Sequence, residues 1–281
     1  MQITPEIEEL IDRALAEDLA LGDPTTDSLI PEDLAGAAAV VSRRDGVVAG
    51  GSVLAAVFHR VDPSVRVAVG KPDGSILCGG DEIARVEGPL ASILKAERTA
   101  LNFVQRLSGI ATATSRYVKA VEGLPARIVD TRKTTPGLRT LEKAAVRAGG
   151  GSNHRMALAD GILIKDNHIE ALRRRGMSLR DIVGSARAGS PHTLKIEVEV
   201  EGLDGVREAL EAGTDILMLD NMPVEDMAKA VEMARGRAIT EASGGISLET
   251  VRAVASTGVD LISVGALTHS AAALDIGLDL L

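Results

Sequence analysis

Cysteine, aromatic residues and long apolar runs are all scarce in this sequence of 281 residues. The single cysteine, Cys78, excludes an internal disulfide and a cysteine-rich metal site, and we interpret it as a packed or idle thiol rather than a nucleophile. No apolar run approaches the roughly 18 residues that a membrane-spanning helix needs. The N-terminus lacks the basic segment and apolar core of a secretion signal, so a cytoplasmic location is expected.

Positive charge is also in deficit, since 31 Lys and Arg stand against 40 Asp and Glu and the formal net charge is -9. The only aromatic side chains are Phe58, Phe103 and Tyr117. The chain therefore offers neither a basic surface for a phosphodiester backbone nor rings on which bases stack, and we expect no nucleic-acid and no membrane partner. A flat heteroaromatic ligand would have to be held by charges and aliphatic side chains.

Hydrophobic residues make up 45% of the chain, which is enough for a substantial core. Short apolar runs at 37–41, 47–49, 65–69 and 83–86 are separated by turns such as Asp45-Gly46. This pattern predicts a small, largely antiparallel sheet with helices on one face. Residues 1–108 are taken as this first α/β domain.

From residue 127 onward, apolar runs alternate with helical patterns. The six runs are 128–129, 162–164, 196–200, 216–219, 238–240 and 261–264. Alternation with a period near twenty residues late in the chain is typical of parallel βαβ units. Six strands do not complete an eight-stranded barrel, so an incomplete or open α/β barrel over 109–268 is equally allowed. Residues 269–281 are predicted to form a helix that packs back on the first domain.

Cationic residues are concentrated between Asp130 and His168, where seven Lys or Arg occur with four Asp or Glu and two of the five histidines. In an acidic protein, this local excess indicates a polyanionic small molecule as ligand. Solvated surface charges are the alternative. That alternative fits poorly because Arg132, Arg155 and Lys165 lie beside glycines, a proline or a strongly apolar run instead of on a polar helix face.

Polar residues or glycines follow the apolar runs. In chain order they are Arg132 and Lys133, Lys165 and Asp166, Asp220 and Asn221, Ser243 to Gly245, and Gly265. In barrel folds the functional residues lie at the carboxyl ends of the strands, so we expect these residues to converge on one rim. The loops 243–245 and 264–266 are candidate phosphate sites, because glycines let backbone amides approach an anion.

Acidic residues alternate along 195–201, which places Glu197, Glu199 and Glu201 on one face of a strand. On an antiparallel edge strand this face would simply be exposed to solvent. Inside a parallel barrel each carboxylate must be paired with a cation or a metal ion. We therefore interpret Glu199, Glu201 and Asp220 as functional, with the rim cations and a divalent ion as partners, and Glu197 as structural.

Several motifs together carry a family resemblance. They are Thr131-Arg132-Lys133-Thr134-Thr135-Pro136-Gly137, Gly149-Gly150-Gly151 with His154-Arg155, Leu163-Ile164-Lys165-Asp166-Asn167-His168, Glu197-Val198-Glu199-Val200-Glu201 and Met218-Leu219-Asp220-Asn221. In this combination the chain resembles the quinolinate phosphoribosyltransferases, also called carboxylating nicotinate-nucleotide pyrophosphorylases. The resemblance extends in order over essentially the whole chain.

The resemblance implies an N-terminal α/β sandwich and a C-terminal open barrel of about seven strands. It also implies Mg2+-dependent transfer of a phosphoribosyl group from phosphoribosyl pyrophosphate to the ring nitrogen of quinolinate. Decarboxylation would then give nicotinate mononucleotide, pyrophosphate and CO2, a step of de novo NAD biosynthesis. A homodimer with shared active sites, possibly within a higher oligomer, is implied as well.

The same resemblance implies roles for individual residues. Arg132, His154, Arg155 and Lys165 would hold the carboxylates of quinolinate, with Arg98 supplied by the neighbouring subunit and Thr131 as a further binding residue. Lys133, Glu199 and Asp220 would hold phosphoribosyl pyrophosphate with Mg2+, the two acids largely through substrate and water. Ser243, Gly244, Gly245, Val264, Gly265 and Ala266 would hold its 5′-phosphate, and Glu201 and His269 would lie near the site. Lys133, Lys165, Glu199 and Asp220 are the candidate catalytic residues.

Three other functions remain open from the sequence. One is a Schiff-base barrel aldolase that uses Lys165, which requires a desolvated lysine, whereas Asp166 and nearby carboxylates favour a charged one. The second is a barrel that binds an anion without catalysis, in which the acidic residues would have no purpose. The third is a related phosphoribosyltransferase that acts on another pyridine carboxylate.

Overall fold

The computed structural model describes residues 1–281, with eleven α-helices and twelve β-strands. The helices are α1 Pro5–Leu19, α2 Pro24–Leu29, α3 Gly51–Val61, α4 Leu90–Ala120, α5 Arg139–Ala148, α6 Asp166–Arg173, α7 Leu179–Ala188, α8 Leu203–Ala212, α9 Val224–Ala234, α10 Val251–Ala255 and α11 Ala266–His269. The strands are β1 Ala35–Ser42, β2 Gly46–Val47, β3 Arg66–Val69, β4 Ile76–Leu77, β5 Glu82–Pro89, β6 Arg127–Val129, β7 Ile162–Ile164, β8 Ile196–Val200, β9 Ile216–Asp220, β10 Ile239–Ser243, β11 Leu261–Ser263 and β12 Ile276–Leu280. None of the helices combines the length and the hydropathy that crossing a membrane would take.

The chain divides into two compact units. The first unit comprises residues 1–115, 134–150 and 267–281, and the second comprises 116–133 and 151–266. This division is less contiguous than the one predicted from the sequence, because 134–150 belongs to the first unit. The cause is the burial of α5, where Leu141 and Val146 are buried and the fully buried Glu142 pairs with Arg106 of α4 at 2.8 Å.

The first unit contains an antiparallel sheet in the order β12-β1-β5-β3 and a short ribbon of β2 and β4. Helix α1 begins at Pro5 after Thr4 and buries Ile7, Ile11 and Leu15. Helix α2 begins after Asp23, because the Asp23 carboxylate accepts a hydrogen bond from the backbone N–H of Thr26 and caps the helix.

The predicted C-terminal helix over 269–281 is wrong, because this segment contains β12. Strand β12 pairs with β1 in an antiparallel register that runs from Ser42 opposite Ile276 to Ala38 opposite Leu280. It completes the edge of β1, and Ile276 is buried while the Gln105 side chain donates to its carbonyl at 2.6 Å. Pairing of the exposed strand edge therefore overrides the local helical pattern.

The second unit is built on six parallel strands in the order β6-β11-β10-β9-β8-β7. Strands β6 and β7 are the edges and are not hydrogen-bonded to each other, so the sheet is open. A single parallel bridge between Val129 and Ser152 adds a seventh position beside β6. All six predicted strands are present, and helices α6 and α7 lie between β7 and β8.

The strand registers bring polar side chains together on one face of this sheet. Glu199 lies beside Met218, and Met218 lies beside Glu241. One row further toward the carboxyl ends, Asp220 lies beside Ser243. Since the strands are parallel, the residues that follow them gather at the same end of the sheet.

Candidate active site

A hollow of about 590 Å³ opens at the carboxyl ends of the parallel strands, and all of its lining residues belong to the second unit. Of the residues predicted from the sequence, it gathers Thr131, Arg132, Lys133, His154, Arg155, Lys165, Glu199, Asp220, Ser243, Gly244 and Gly245. Leu163, Met218, Asn221, Glu241 and Ser263 complete the lining. The predicted convergence of the strand ends is therefore present.

One wall of the hollow is cationic. Arg132 and Arg155 are partly buried, and Arg155 is fixed by a hydrogen bond from Nη1 to the carbonyl of Gly161 at 3.1 Å. Burial, and then the charge of Arg132, lowers the pKa of Arg155. A partly buried guanidinium group next to a second positive charge forms a site that an anion stabilises. Lys133 extends this wall toward solvent, with its backbone N–H donated to the Thr131 hydroxyl at 3.0 Å.

The Asp130 carboxylate connects the two segments that carry the arginines of this wall. Its side chain is fully buried at the end of β6 and accepts the backbone N–H of His154 at 2.9 Å. The Asn153 side chain donates to the same carboxylate, and the backbone of Asp130 pairs with Ser152. The carboxylate thus holds the loop after β6 against the segment at 152–155, and so positions the arginines on both.

Lys165 and Glu199 form an ion pair across the hollow. Lys165 follows β7 and Glu199 lies near the end of β8, with 3.1 Å between Nζ and Oε2. The Glu199 side chain is only 11% exposed, whereas Lys165 is 48% exposed. The ammonium group faces a carboxylate and solvent, not the apolar pocket that a Schiff-base lysine requires. The aldolase alternative therefore has no support in this geometry.

Asp220, Asn221 and the glycine loop form the opposite wall. The Asn221 side chain donates to the Asp220 carboxylate at 2.7 Å, and its backbone N–H donates to the carbonyl of Ser243. Asn221 is the only residue other than glycine with a positive φ, at 51°. A Cβ on Gly244 would lie 2.3 Å from Oδ1 of Asn221. Close packing across the ends of β9 and β10 thus shapes this wall, and only glycine fits there.

Beneath the cationic wall lies a group that we call the His154 cluster, which consists of His154, Glu197 and Glu241. Nε2 of His154 lies 3.2 Å from Glu197 and 3.3 Å from Glu241. The contact with Glu197, followed by the contact with Glu241, raises the pKa of His154 to about 10, although burial opposes this rise. Burial raises the pKa of Glu197. The cluster therefore retains a proton at neutral pH.

Glu241 was missed by the sequence analysis, because the apolar run at 238–240 ends one residue before it. The observed strand β10 continues to Ser243, which places Glu241 in mid-strand and fully buried. A charged residue between Thr240 and Ala242 was the signal that could have revealed it. Ser263, at the end of β11, carried no signal beyond its position.

The remaining predicted residues do not line the hollow. Glu201 is exposed in a second hollow of the same unit, beside α6 and α8. Val264 is buried, and Gly265 and Ala266 are partly buried after β11. Arg98 and His269 belong to the first unit, where Arg98 is exposed in a hollow that also contains Glu17 and Asp18.

Comparison with protein families gives two matches that together span nearly the whole chain. The family described as "Quinolinate phosphoribosyl transferase, N-terminal domain" matches residues 23–108. The family described as "Quinolinate phosphoribosyl transferase, C-terminal domain" matches residues 110–279.

Individual proteins are similar over the full length. The nicotinate-nucleotide pyrophosphorylase [carboxylating] of Mycobacterium leprae is 45% identical over 278 residues, which cover 97% of this chain and 96% of the relative. The probable enzyme of the same name in Bacillus subtilis is 43% identical over 98% of this chain and 93% of its own. The solved structure of the nicotinate-nucleotide pyrophosphorylase from Francisella tularensis is 38% identical, with a TM-score of 0.92 over 99% of this chain and 98% of that one.

Proposed function

Because this chain belongs to the quinolinate phosphoribosyltransferase family, we propose that it transfers the phosphoribosyl group of phosphoribosyl pyrophosphate to the ring nitrogen of quinolinate. Loss of the 2-carboxylate as CO2 then gives nicotinate mononucleotide, with pyrophosphate as the other product. This reaction belongs to de novo NAD biosynthesis. The proposal rests on one observation: a single hollow at the strand ends contains four cationic side chains beside carboxylates, although the protein as a whole is acidic. The four are Arg132, Lys133, Arg155 and Lys165.

The cationic wall suits an acceptor with two carboxylates. Arg132 and Arg155 each present a planar fork of N–H donors, which matches a carboxylate better than an ammonium group does. With Lys165 they surround the space that the dianionic ring would occupy. The ring nitrogen already carries a lone pair, so the attack on the sugar carbon C1′ needs no general base. The hollow accordingly contains no Ser-His or Cys-His pair.

The first step breaks the bond between C1′ and the pyrophosphate oxygen, and the electron pair leaves with pyrophosphate. Lys133 is exposed and lines the hollow, and in this proposal it stabilises the charge that develops on the leaving group. The loop at Ser243, Gly244 and Gly245 offers backbone amides to the 5′-phosphate. Positioning and charge, not acid-base chemistry at the nucleophile, supply the catalysis.

The acidic residues fit a magnesium ion. Glu199 and Asp220 offer carboxylate oxygens, the ligands that Mg2+ prefers, and the buried Oε2 of Glu199 receives no hydrogen bond besides its contact with the Lys165 ammonium. We assign Mg2+ to these two residues, largely through water and the pyrophosphate. Bound there, the ion would neutralise part of the charge on pyrophosphate.

The second step breaks the bond between ring carbon C2 and its carboxylate. The electron pair stays at C2, next to the positively charged ring nitrogen, which acts as the electron sink. Arg132 and Arg155 hold the ring still while CO2 departs. The substrate itself therefore supplies the chemistry that a bound organic cofactor supplies in other decarboxylases.

Two subunits are proposed to share each active site, as the family resemblance implies. Arg98 of the partner subunit would complete the carboxylate site. Mixing Arg98→Ala subunits with Lys165→Ala subunits should then restore part of the activity, since one of the mixed sites keeps both wild-type residues. If subunits demonstrably exchange and no activity returns, the sites are not shared. The cytoplasmic location stays a prediction from the sequence.

The assay that tests the reaction combines the protein with quinolinate, phosphoribosyl pyrophosphate and Mg2+. We expect CO2, pyrophosphate and nicotinate mononucleotide in equal amounts. Lys165→Ala and Arg132→Ala should each lose at least about 100-fold in turnover while keeping the fold. Nicotinate is the control acceptor: nucleotide formation from nicotinate and none from quinolinate would make the protein a different pyridine phosphoribosyltransferase.

A further inference from the structure

Glu142 is a buried carboxylate to which the proposed reaction gives no role. It lies on α5, its side chain is 0% exposed, and both of its oxygens accept hydrogen bonds. Oε1 accepts from Nη2 of Arg106 at 2.8 Å and from the Thr135 hydroxyl at 2.8 Å, while Oε2 accepts from the Thr135 backbone N–H at 3.0 Å. One side chain therefore fixes both the backbone N–H and the hydroxyl of Thr135.

Stability alone explains this buried ion pair poorly. Removing two charges from water costs several kcal/mol per ion, and apolar side chains of similar size are often equally stable in their place. Arg106 compensates for this cost with further hydrogen bonds, which it donates to the backbone carbonyls of Thr268 and Ala271. What the pair adds is specificity, because a carboxylate with fixed donors accepts only one backbone conformation at Thr135.

The start of α5 holds the same stretch of chain. Nε of Arg139 donates to the Thr134 hydroxyl at 3.1 Å, and the backbone N–H of Leu138 donates to the carbonyl of Thr135 at 3.0 Å. Helix α5 is itself anchored by Leu141, which is buried in the first unit. Residues 134–135 are therefore a fixed end for the loop that precedes them.

Lys133 lies on that loop, two residues before Thr135 and separated from it by at most about 7 Å of extended chain. Its side chain is exposed and lines the hollow. The other end of the loop is held at Asp130, whose backbone N–H donates to the carbonyl of Ser152 at 3.2 Å. No helix or strand occurs between these ends, so they determine the path of the loop together with the contact from the Lys133 N–H to the Thr131 hydroxyl.

We propose that Glu142 is a positioning residue for Lys133 and acts through its two hydrogen bonds to Thr135. The inference rests on the proposed function, in which Lys133 stabilises the departing pyrophosphate. The charge on pyrophosphate develops in the transition state, so the position of the lysine determines the rate. A displacement of about 1 Å in such a group can cost about 100-fold in rate.

The test is a double-mutant cycle between Glu142→Gln and Lys133→Ala, with kcat and KM measured for both substrates. Glutamine keeps the size of the side chain and replaces one acceptor oxygen by an NH2 group. Each single change should lower kcat at least about tenfold, and the double variant should be within about twofold of Lys133→Ala, since Glu142 acts through that lysine. KM for quinolinate should change less than about twofold in Glu142→Gln, because Arg132 lies nearer to the end held at Asp130.

The matched control is Gln105→Ala. Gln105 lies next to Arg106 on α4, and its side chain donates to the carbonyl of Ile276 at 2.6 Å, so the change removes a partly buried hydrogen bond of the same unit and none to Thr135. It should lower the melting temperature and leave kcat unchanged. Thr135→Val, which loses only the hydroxyl, should lower kcat less than Glu142→Gln, and Thr135→Ser should behave as wild type.

Wild-type kcat in Glu142→Gln, or losses that multiply in the double variant, would show that Glu142 does not act through Lys133. If Glu142→Gln does not fold, the same cycle with Thr135→Val decides between these outcomes. Hydrogen exchange at the Thr135 amide separates this inference from the proposed reaction, because it should become faster in Glu142→Gln whatever the substrate. Unchanged exchange would refute the positioning role, whereas wild-type protein that forms no nicotinate mononucleotide would refute the proposed function.

Discussion

Replacing Gly244 by alanine tests how the phosphate wall is built. Gly244 has φ +89°, where an L-residue is strained by about 1–2 kcal/mol. The added Cβ would also lie 2.3 Å from Oδ1 of Asn221, so that side chain must move and lose its 2.7 Å hydrogen bond to Asp220. The lost hydrogen bond adds about 1 kcal/mol. We expect a total loss of about 2–3 kcal/mol in the free energy of unfolding.

Gly213 provides the matched control, because its φ is +78° and nothing lies within 4 Å of a Cβ built there. Gly213→Ala carries the backbone strain without the collision. Calorimetric melting should show a clearly larger loss for Gly244→Ala, and only Gly244→Ala should raise KM for phosphoribosyl pyrophosphate, by at least about tenfold. Equal losses of stability, with an unchanged KM in both variants, would refute the packing argument.

Three further predictions concern charge and strand pairing. Glu199→Gln should lower kcat/KM at least about 100-fold and raise the Mg2+ concentration needed for half-maximal rate. The control is Glu170→Gln, a change in an exposed ion pair with Arg174, which should change neither quantity. Contacts in the folded protein raise the pKa of His154 to about 10, so protonation of His154 stabilises the fold fully below pH 6.5 and this stabilisation is lost as the pH rises through 10. In urea unfolding, His154→Gln should therefore lower the free energy of unfolding at pH 6 and lower it much less at pH 10.5. Deleting 271–281 should lower the melting temperature by several degrees, since it removes β12 and bares the edge of β1; an unchanged melting curve would contradict that role.

The sequence predicted the second unit well because its signals are local. Each parallel strand is a short apolar run buried on both faces, and the residue after each run marks the carboxyl end of the strand. Arg132, Lys165 and Asp220 were found in this way, and the structure places all three in one hollow. Long-range contacts did not have to be known to predict that these three residues lie at the same end of the sheet.

The errors occur where a distant segment decides the structure. Strand β12 exists because β1, more than 200 residues earlier, offers an unpaired edge, and no local pattern at 276–280 records that edge. Likewise, 134–150 follows β6 in sequence but belongs to the first unit, where Glu142 meets Arg106. Propensity describes a segment by itself, and tertiary pairing overrides it.

Glu197 and Glu199 illustrate why a strand pattern alone could not assign roles. They share one face of β8, only about 7 Å apart along the strand, and the sequence analysis left the first as structural and the second as functional. Their partners separate them: Glu199 meets Lys165 near the rim, while Glu197 meets His154 deeper in the sheet. Since burial raises the pKa of Glu197 despite the opposing contact with His154, the deeper carboxylate is suited to sharing a proton, and the shallower one is suited to binding cations. Strand β8 therefore presents Glu199 near its end, where it can bind cations, and Glu197 in its middle, where it can share a proton. The partners Lys165 and His154 decide which carboxylate has which role, and both lie on loops that contact the strand only in the folded protein.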